Sequence, residues 1–569
     1  MSVTEEWETT DILICGCGPT GAMLSGYLGK LGVRNIVLEK EAAITTDPRG
    51  IALDDDAIRL MQGLGLLAKG SIHKRNSPRS THETFSLHGH IFEDADWVYA
   101  TYSDASGTER KLRAKFLAAA DGKTGFTRKM YLEPKGIQLN WAEQTKYEET
   151  WVALNWKLHL PTKETHPSFP LWELGYTPEE VYNLFFPADF RFLCNPERPA
   201  VCGRFGRPED RLWRFEFVVA SEEDDMEMAT RKKVREVVYP YLTYPGSRYG
   251  LKEDIEFPED CIEVLRSRPF RFSARSCNKW ALGRVILCGD AAHVFPPFGG
   301  QGIASGFRDA NALAWRLAIA CSSLRIDYES LFKGWYLERK QQLDASLAST
   351  IRNGDMVNGT GLKHTFIRNW ALWLIQLIPS WKHFLERGPR SSGAIQYSYL
   401  PEMPFMPELS GGSCFPQTYC MALHKDAAVQ FTDDVIFEGK TSLFQIVVLL
   451  NNVEELASAV HDLKALNEGN ELLSLRDATF FVPRTSCKPD TDYGSRQSVC
   501  RTATGDEFAS SILCDSRPIP RGYDEMLMWK SVNGKRYVVL RPDRFVFAAC
   551  NTEAELGKAA TRLAQLFDI

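Results

Sequence analysis

Six residues near the start of the chain, Gly16-Cys17-Gly18-Pro19-Thr20-Gly21, are the first whose types and spacing point to chemistry. In a G-x-G-x-x-G turn the first two glycines let the backbone approach a pyrophosphate, whose charge rests on helix N-terminal amides. The third allows the helix to pack tightly on the strand. Glu39 follows Gly18 at the roughly twenty-residue spacing of a carboxylate that binds a ribose hydroxyl. The hexad alone does not separate FAD from NAD. A second motif does: Arg284-Val285-Ile286-Leu287-Cys288-Gly289-Asp290-Ala291-Ala292-His293, continuing into Val294-Phe295-Pro296-Pro297-Phe298-Gly299-Gly300-Gln301-Gly302. A strand ending in Gly-Asp aims a carboxylate at a ribityl hydroxyl. The glycine turn after it opens a helix whose N-terminal amides and positive dipole suit the N1 and O2 edge of a flavin, where they stabilise the charge of the reduced ring.

The elements needed to position these residues are legible around them. Asp11 to Cys15 reads as a short buried strand, Met23, Leu24, Tyr27, Leu28 and Leu31 recur at helical spacing up to Gly32, and Asn35 to Leu38 reads as a second strand. This is a dinucleotide-binding βαβ unit. Val98 to Tyr102 and Lys111 to Leu117 flank the turn formers of residues 103–107 and predict a β-hairpin that ends in Asp121-Gly122. From about Tyr147 to Phe272 aromatic strands alternate with proline-rich loops, as in Trp213, Phe215 and Phe217 interleaved with Arg214 and Glu216. Arg284 to Leu287 is again a buried strand. Long amphipathic helices are expected over Tyr328 to Asn358 and Trp370 to Leu385. The Pro, Gly and Ser of 388–414 read as a linker, and strands at Phe444 to Leu450 and Tyr537 to Leu540 precede a helix opened by the Thr552-x-x-Glu555 capping box.

Composition bounds the partners. The chain has 569 residues, 44% hydrophobic and 25% charged, enough to bury a sizeable core in several folding units. Its net charge of −6 excludes the basic excess that tracks a nucleic acid. Fourteen cysteines without a CxxC, and an N-terminus without an apolar export segment, point to a reducing, cytoplasmic setting. Trp370 to Ile378 is too short to span a bilayer, so no stable membrane insertion is expected.

Four blocks carry a resemblance to the class A FAD-dependent aromatic hydroxylases, the family of phenol 2-monooxygenase and 3-(3-hydroxyphenyl)propionate hydroxylase. They are the Gly16 to Glu39 unit, Pro48 to Arg59, Ala120-Asp121-Gly122 with Arg128 downstream, and Gly289-Asp290 through Asn311. Weaker echoes are Cys194 to Pro199, Trp213 to Phe217, Tyr336 to Arg339, and Arg541-Pro542-Asp543. The resemblance implies an α/β fold: a Rossmann-like FAD-binding domain (1–146 and 273–387), an inserted β-sheet substrate domain (147–272), long helices, the linker, and a C-terminal thioredoxin-like dimerisation domain (415–569). It implies FAD, with NADPH or NADH as a transient co-substrate, O2, a small aromatic substrate and a homodimer. Residue by residue, it puts Gly16, Gly18, Pro19, Thr20 and Gly21 on the FAD pyrophosphate, Glu39 with Lys40 at the adenosine ribose, and Arg49 near the flavin or its phosphates. Asp121 and Gly122 would serve both nucleotides. Asp290 would meet the ribityl chain, and Pro297, Gly299, Gly300, Gln301, Gly302 and Ile303 the isoalloxazine.

The activity so implied is hydroxylation of a phenolic or polycyclic aromatic compound through a flavin C4a-hydroperoxide. Two other readings stand beside it: Baeyer-Villiger-type oxygen insertion next to a carbonyl, and a catalytically silent flavin-fold scaffold. The second is motivated by the Arg59 to Asp121 interval, shorter than the family's, and by Ile51 where the family places an aspartate base. The halogenase signature Trp-x-Trp-x-Ile-Pro is absent.

No catalytic base is assigned. Asp54 is a candidate, but Asp54, Asp55 and Asp56 also suit the start of an amphipathic helix. His293 is the other, against a buried histidine bonded to a carbonyl. No metal site is expected: His82, His88 and His90 fall in a polar stretch without ligand spacing. Trp141, Trp151, Trp156, Trp172, Trp213 and Trp280 are candidates for an aromatic pocket or for core, and Trp370 and Trp373 for helix packing. Glu222 to Asp225 reads as a solvated loop.

Overall fold

The apolar run Ile12-Leu13-Ile14 needs burial on both faces, and in the computed structural model β1 (Glu8–Cys15) lies between β2 (Asn35–Glu39) and β6 (Glu109–Ala119), parallel to both. The structure describes residues 7–43, 50, 53–66, 82–84, 90–142, 146–298, 300–322, 326–359, 361–382, 395–424, 427–464, 472–487, 499–515, 517, 519–520 and 522–567. Helix α1 (Pro19–Lys30) connects β1 to β2, and α2 (Asp55–Gly63) follows. His82, expected in a polar loop, starts β3 (His82–Thr84), because Val37 to Glu39 offer it a parallel partner edge. His88 lies outside the described residues.

Strand β6 is long enough to be shared. Its first half pairs with β5 (Val98–Ser103), the predicted hairpin, which carries β4 (Ile91–Glu93) on its other edge. Its second half pairs in parallel with β17 (Val285–Leu287), flanked by β16 (Ala281–Leu282).

Between those two visits the chain builds an antiparallel sheet in the order β14-β8-β11-β10-β9: β8 (Glu148–Leu158), β9 (Arg191–Leu193), β10 (Ala200–Phe205), β11 (Leu212–Val218) and β14 (Ile262–Ser273). One core gathers Trp156, Trp172, Trp213, Phe215 and Phe217 with Val181 and Phe185 of α3 (Pro178–Phe185). Three of the six candidate tryptophans are therefore core here. Short α4 (Asp225–Met228), α5 (Arg231–Val238) and the pair β12 (Thr243–Tyr244) and β13 (Ile255–Glu256) cover the periphery. Glu222 is exposed, but Glu223 accepts two bonds from Arg198, both 2.6 Å, so the acidic run is only partly solvated. A small sheet of β7 (Leu139–Trp141), β15 (Arg275–Cys277) and β18 (His293–Val294) ties this unit to the first.

Helix α6 (Gln301–Ser322) follows the second glycine turn, and α7 spans Tyr328–Asn358 as expected. Helix α8 covers Leu362–Leu377, starting before the expected Trp370, and Pro379 forces Ile378 into an extended conformation (φ −103°, ψ 111°). Residues 379–382 are helical again, and 383–385 lie outside the described residues. Trp370 and Trp373 are exposed, contrary to the packing expected of them.

Residues 395–414, read as linker, are packed structure. Tyr397 stacks on Phe545 at 4.6 Å, and Tyr397, Met403 and Phe405 are buried with it. The glycines misled because they serve close approach rather than flexibility: a Cβ on Gly411 would stand 2.4 Å from the Phe547 carbonyl oxygen.

Beyond them lies a seven-stranded mixed sheet: β19 (Tyr419–Ala422), β20 (Gln430–Phe431), β21 (Gln445–Leu449), β22 (Thr479–Val482), β23 (Val499–Thr502), β24 (Tyr537–Leu540) and β25 (Val546–Cys550), in the order β20-β19-β23-β22-β21-β24-β25. The closing helix Glu553–Phe567 is capped by Thr552, whose hydroxyl accepts from the Glu555 amide at 3.2 Å. Buried charge fastens this sheet to α6 and α7. Arg541 donates to Glu338 of α7 (2.5 and 2.8 Å) and to Asp543 (2.9 and 2.6 Å), Arg316 of α6 donates to Glu338 at 2.7 Å, and Trp315 donates to Asp543 at 2.9 Å.

Candidate FAD and aromatic-substrate site

The glycines of the first motif do three different jobs. Gly16 has φ +96°, and a Cβ there would meet the Ala120 carbonyl oxygen at 2.5 Å, so the turn between β1 and α1 requires glycine. A Cβ on Gly21 would lie 2.0 Å from the Gly16 carbonyl oxygen, which holds α1 tightly on the turn. Gly18 has nothing within 4 Å of a built Cβ, and as the residue capping α1 it provides no side-chain acceptor to the first amides of the helix. An open side beside unclaimed N-terminal amides is what a pyrophosphate needs. Pro19 opens α1 at a position where its missing N–H costs nothing.

Glu39, at the end of β2, reaches back to this turn. Its carboxylate accepts from the Cys17 amide at 2.6 Å and from the Glu41 amide at 3.0 Å. Lys40 is exposed beside it. At the next strand end, Gly122 has φ +82°, and Asp121 Oδ2 accepts from the Thr127 amide at 2.8 Å. Asp121 Oδ1 is buried without a partner among the described residues, and burial raises the pKa of this carboxyl above its ordinary value. Such an atom is ready for a hydrogen bond from a ligand.

The second motif meets the first through Thr20. A Cβ on Gly289 would stand 2.5 Å, and one on Gly306 2.1 Å, from Thr20 Oγ1, so α1, the Gly289 turn and α6 converge only because those positions lack side chains. Asp290 is exposed on this turn, and Gly289 and Gly300 have φ of +60° and +63°. Pro297 is half-buried, Gln301 is buried at the start of α6, and Gly302 and Ile303 follow it. A Cβ on Gly50 would touch Ile303 at 2.8 Å, which puts Gly50 against α6. Arg49 and Gly299 themselves lie outside the described residues.

Both candidate bases are engaged by partners within the protein. Asp54 caps α2, accepting from the Ala57 amide at 2.9 Å, and its other oxygen accepts from Gln301 at 3.0 Å and Arg308 at 2.6 Å. Burial works against its charge, but Arg308 and the cap outweigh it and hold the carboxyl below its ordinary value. Asp56 also binds Arg308, so these acids tie α2 to α6. His293 is fully buried, and its Nε2 meets Asp309 Oδ2 at 2.7 Å rather than a carbonyl.

The sequence reading overlooked Asp309 as a hub. It also accepts from the Gly289 amide at 3.0 Å and from Arg339 at 2.8 Å. Burial opposes its charge, yet His293 and Arg339 hold it down to about 2. The only signal was that Asp309 and Arg339 fall inside resembling blocks.

Facing the Pro297-Phe298 turn is an aromatic wall. Trp151 and Phe272 of the antiparallel sheet lie 5.1 and 5.8 Å from Phe298, and Tyr147 lies 6.5 Å from Phe272. Glu149 accepts from Trp151 Nε1 at 2.7 Å and from Asn358 at 2.7 and 2.8 Å, and Asn358 donates to the Tyr147 hydroxyl at 3.4 Å. Of the six candidate tryptophans, Trp151 alone joins this cluster. Trp280 packs on His293 at 4.8 Å and Trp141 under Arg275 at 3.8 Å.

The FAD binding domain family matches residues 9–91 and 73–323, two pieces that overlap inside the short Arg59 to Asp121 interval. The chain belongs to this family. FAD is its cofactor, and the protein is an oxidoreductase of the flavin monooxygenase class. It is similar to 3-(3-hydroxy-phenyl)propionate/3-hydroxycinnamic acid hydroxylase of Klebsiella pneumoniae subsp. pneumoniae, 24% identical over 98% of this chain and 94% of that one. The Comamonas testosteroni enzyme of the same name is also 24% identical, over 98% and 97%. Among solved structures, the rebeccamycin biosynthetic enzyme RebC with reduced flavin aligns at TM-score 0.60 with 18% identity, over 99% of this chain and all of that one. OxyS anhydrotetracycline hydroxylase from Streptomyces rimosus aligns at 0.59 with 15% identity, over 98% and 99%.

Proposed function

We propose that this chain hydroxylates a phenolic or polycyclic aromatic compound, consuming NAD(P)H and O2. The observation that carries the reading is the meeting of the start of α1, the Gly289 turn and the second turn of α6 at Thr20, through Gly289 and Gly306. A scaffold has no need of that geometry. The chemistry FAD supplies when bound is hydride acceptance from the nicotinamide and transfer of one oxygen atom to the ring.

The chain's own residues would prepare this. The amides of Gly18, Thr20 and Gly21 hold the pyrophosphate, Glu39 keeps acceptor capacity for ribose hydroxyls, and Asp290 and Asp121 stand at the edge of the cofactor path. The amides and dipole at the start of α6 favour negative charge on a ring placed there. Trp151, Phe272 and Phe298 form a dry aromatic wall behind the Pro297-Phe298 turn, with the half-buried Tyr147 and Glu149 as polar groups at its edge, where an aromatic substrate would rest. The C-terminal sheet is read as a thioredoxin-like unit serving assembly of a homodimer, for which sedimentation is the direct measurement.

The test is reconstitution with FAD, the visible spectrum after desalting, and product analysis with phenols and ketones. A flavin spectrum near one FAD per chain, with hydroxylated product formed as NAD(P)H is consumed, supports the reading. Esters from ketones would point to oxygen insertion instead. A protein that keeps no flavin would make it a silent scaffold.

A further inference from the structure

Helix α8 touches the rest of the protein along a narrow stripe. Arg368 is its one buried side chain among the described residues, and its guanidinium donates to the carbonyls of Met356 at 3.1 Å and Cys194 at 3.0 Å. The opposite face is apolar and in water: Phe366 is 63% exposed, Ile367 66%, Trp370 51%, Trp373 53%, Leu374 52% and Leu377 59%. Ile378 and Trp381 (54%) continue it past the helix end. Phe366, Trp370, Trp373, Leu377 and Trp381 recur at helical spacing, and the rings of 366, 370 and 373 touch in series at 5.8 and 5.4 Å. Together these side chains leave on the order of 700 Å² of contiguous apolar surface, more than a monomer ordinarily shows.

We propose that this face is a peripheral docking surface for an anionic lipid bilayer, with α8 lying in the plane of the interface. Three observations select that occupant. No helix among the described residues is long and apolar enough to cross a membrane, so the helix would rest on lipid rather than span it. Tryptophan, whose amphipathic ring favours the headgroup level, contributes three of the exposed side chains.

Charge decides between lipid and a second copy. In a chain of net charge −6, the stretch from Met356 to Lys382 holds Lys363, Arg368 and Lys382 and no Asp or Glu. Two such faces paired in parallel would set each exposed Lys363 against its own copy. An anionic headgroup layer instead complements the Lys363 end of the face. Val357 and Asn358, just before α8, belong with the aromatic cluster and its polar edge, so a lipid-dissolved aromatic compound and the proposed ring site lie on neighbouring parts of the chain.

The experiment is vesicle flotation of the FAD-reconstituted full chain, with phosphatidylcholine alone and with one-third phosphatidylglycerol, read by protein in the floating fraction and independent of turnover. The wild type is expected to float with the anionic vesicles and to be released by high salt. Trp370→Glu with Trp373→Glu should lower partitioning at least about tenfold, and Lys363→Glu about tenfold, both with flavin content and melting temperature unchanged. No flotation, equal flotation with neutral vesicles, or partitioning that ignores these substitutions would overturn the proposal. So would a concentration-dependent dimer in sedimentation that the double variant dissolves, because the occupant would then be a second copy.

Discussion

The junction at Thr20 and the charge cluster under Arg541 both join segments far apart in the chain, by opposite means. At Thr20, α1, the Gly289 turn and α6 approach because side chains are missing. Under Arg541, the C-terminal sheet meets α6 and α7 through four fully buried charged groups, Arg316, Glu338, Arg541 and Asp543. The first arrangement leaves backbone amides and open space on one side, which suits a ligand. The second fills its space and satisfies its own charges, which fixes one docking geometry and adds little net stability over an apolar contact. Binding capacity and assembly are thus carried by different chemistry in one molecule.

The sharpest way to break the comparison is Glu338→Ala. It leaves two buried arginines sharing the single carboxylate of Asp543 and should cost about 3–5 kcal/mol in urea unfolding, with the flavin spectrum of the folded fraction unchanged. Gly21→Ala is expected to cost about 3 kcal/mol and to lose FAD as well, since its Cβ strikes backbone rather than a movable side chain.

Asp309→Asn should cost about 2 kcal/mol at neutral pH. The folded value of Asp309, near 2, lies below the ordinary 3.8. Its contribution is therefore complete above about pH 4 and lost as pH falls toward 2, so unfolding curves of wild type and variant should converge over that window. A gap that persists at pH 2 would show that the carboxylate's charge is not the cause.

Gly18→Ala sharpens the comparison with the smallest effect on stability, under about 1 kcal/mol. Its methyl enters the open side of the turn, and FAD affinity measured by fluorescence should fall at least about tenfold. Unchanged affinity would place the pyrophosphate elsewhere.

What could be read from the sequence tracks the range of the interaction. The glycine turns, Glu39, the hairpin and the bounds of α7 depend on near neighbours, and their spacing carries the information. The partnership of His293 with Asp309 and Arg339, and that of Arg541 with Glu338, joins residues whose separation has no period, so nothing local marks it. Composition misled at 395–414, where Gly411 and Gly412 lie against buried backbone and rings. Periodicity misled at Trp370 and Trp373, because an apolar stripe looks the same whether it faces a core or water.

The sharing of β6 has a kinetic consequence. Leu117 waits for Val285, roughly 170 residues later, and the intervening antiparallel sheet can form first. At about 5–20 residues per second on the ribosome, the half-built edge of β6 stays exposed for on the order of ten to thirty seconds in every round of synthesis. During that interval the nascent chain carries an unpaired strand edge able to recruit other chains, so its yield in a cell should depend on holdase chaperones more than its finished stability would suggest.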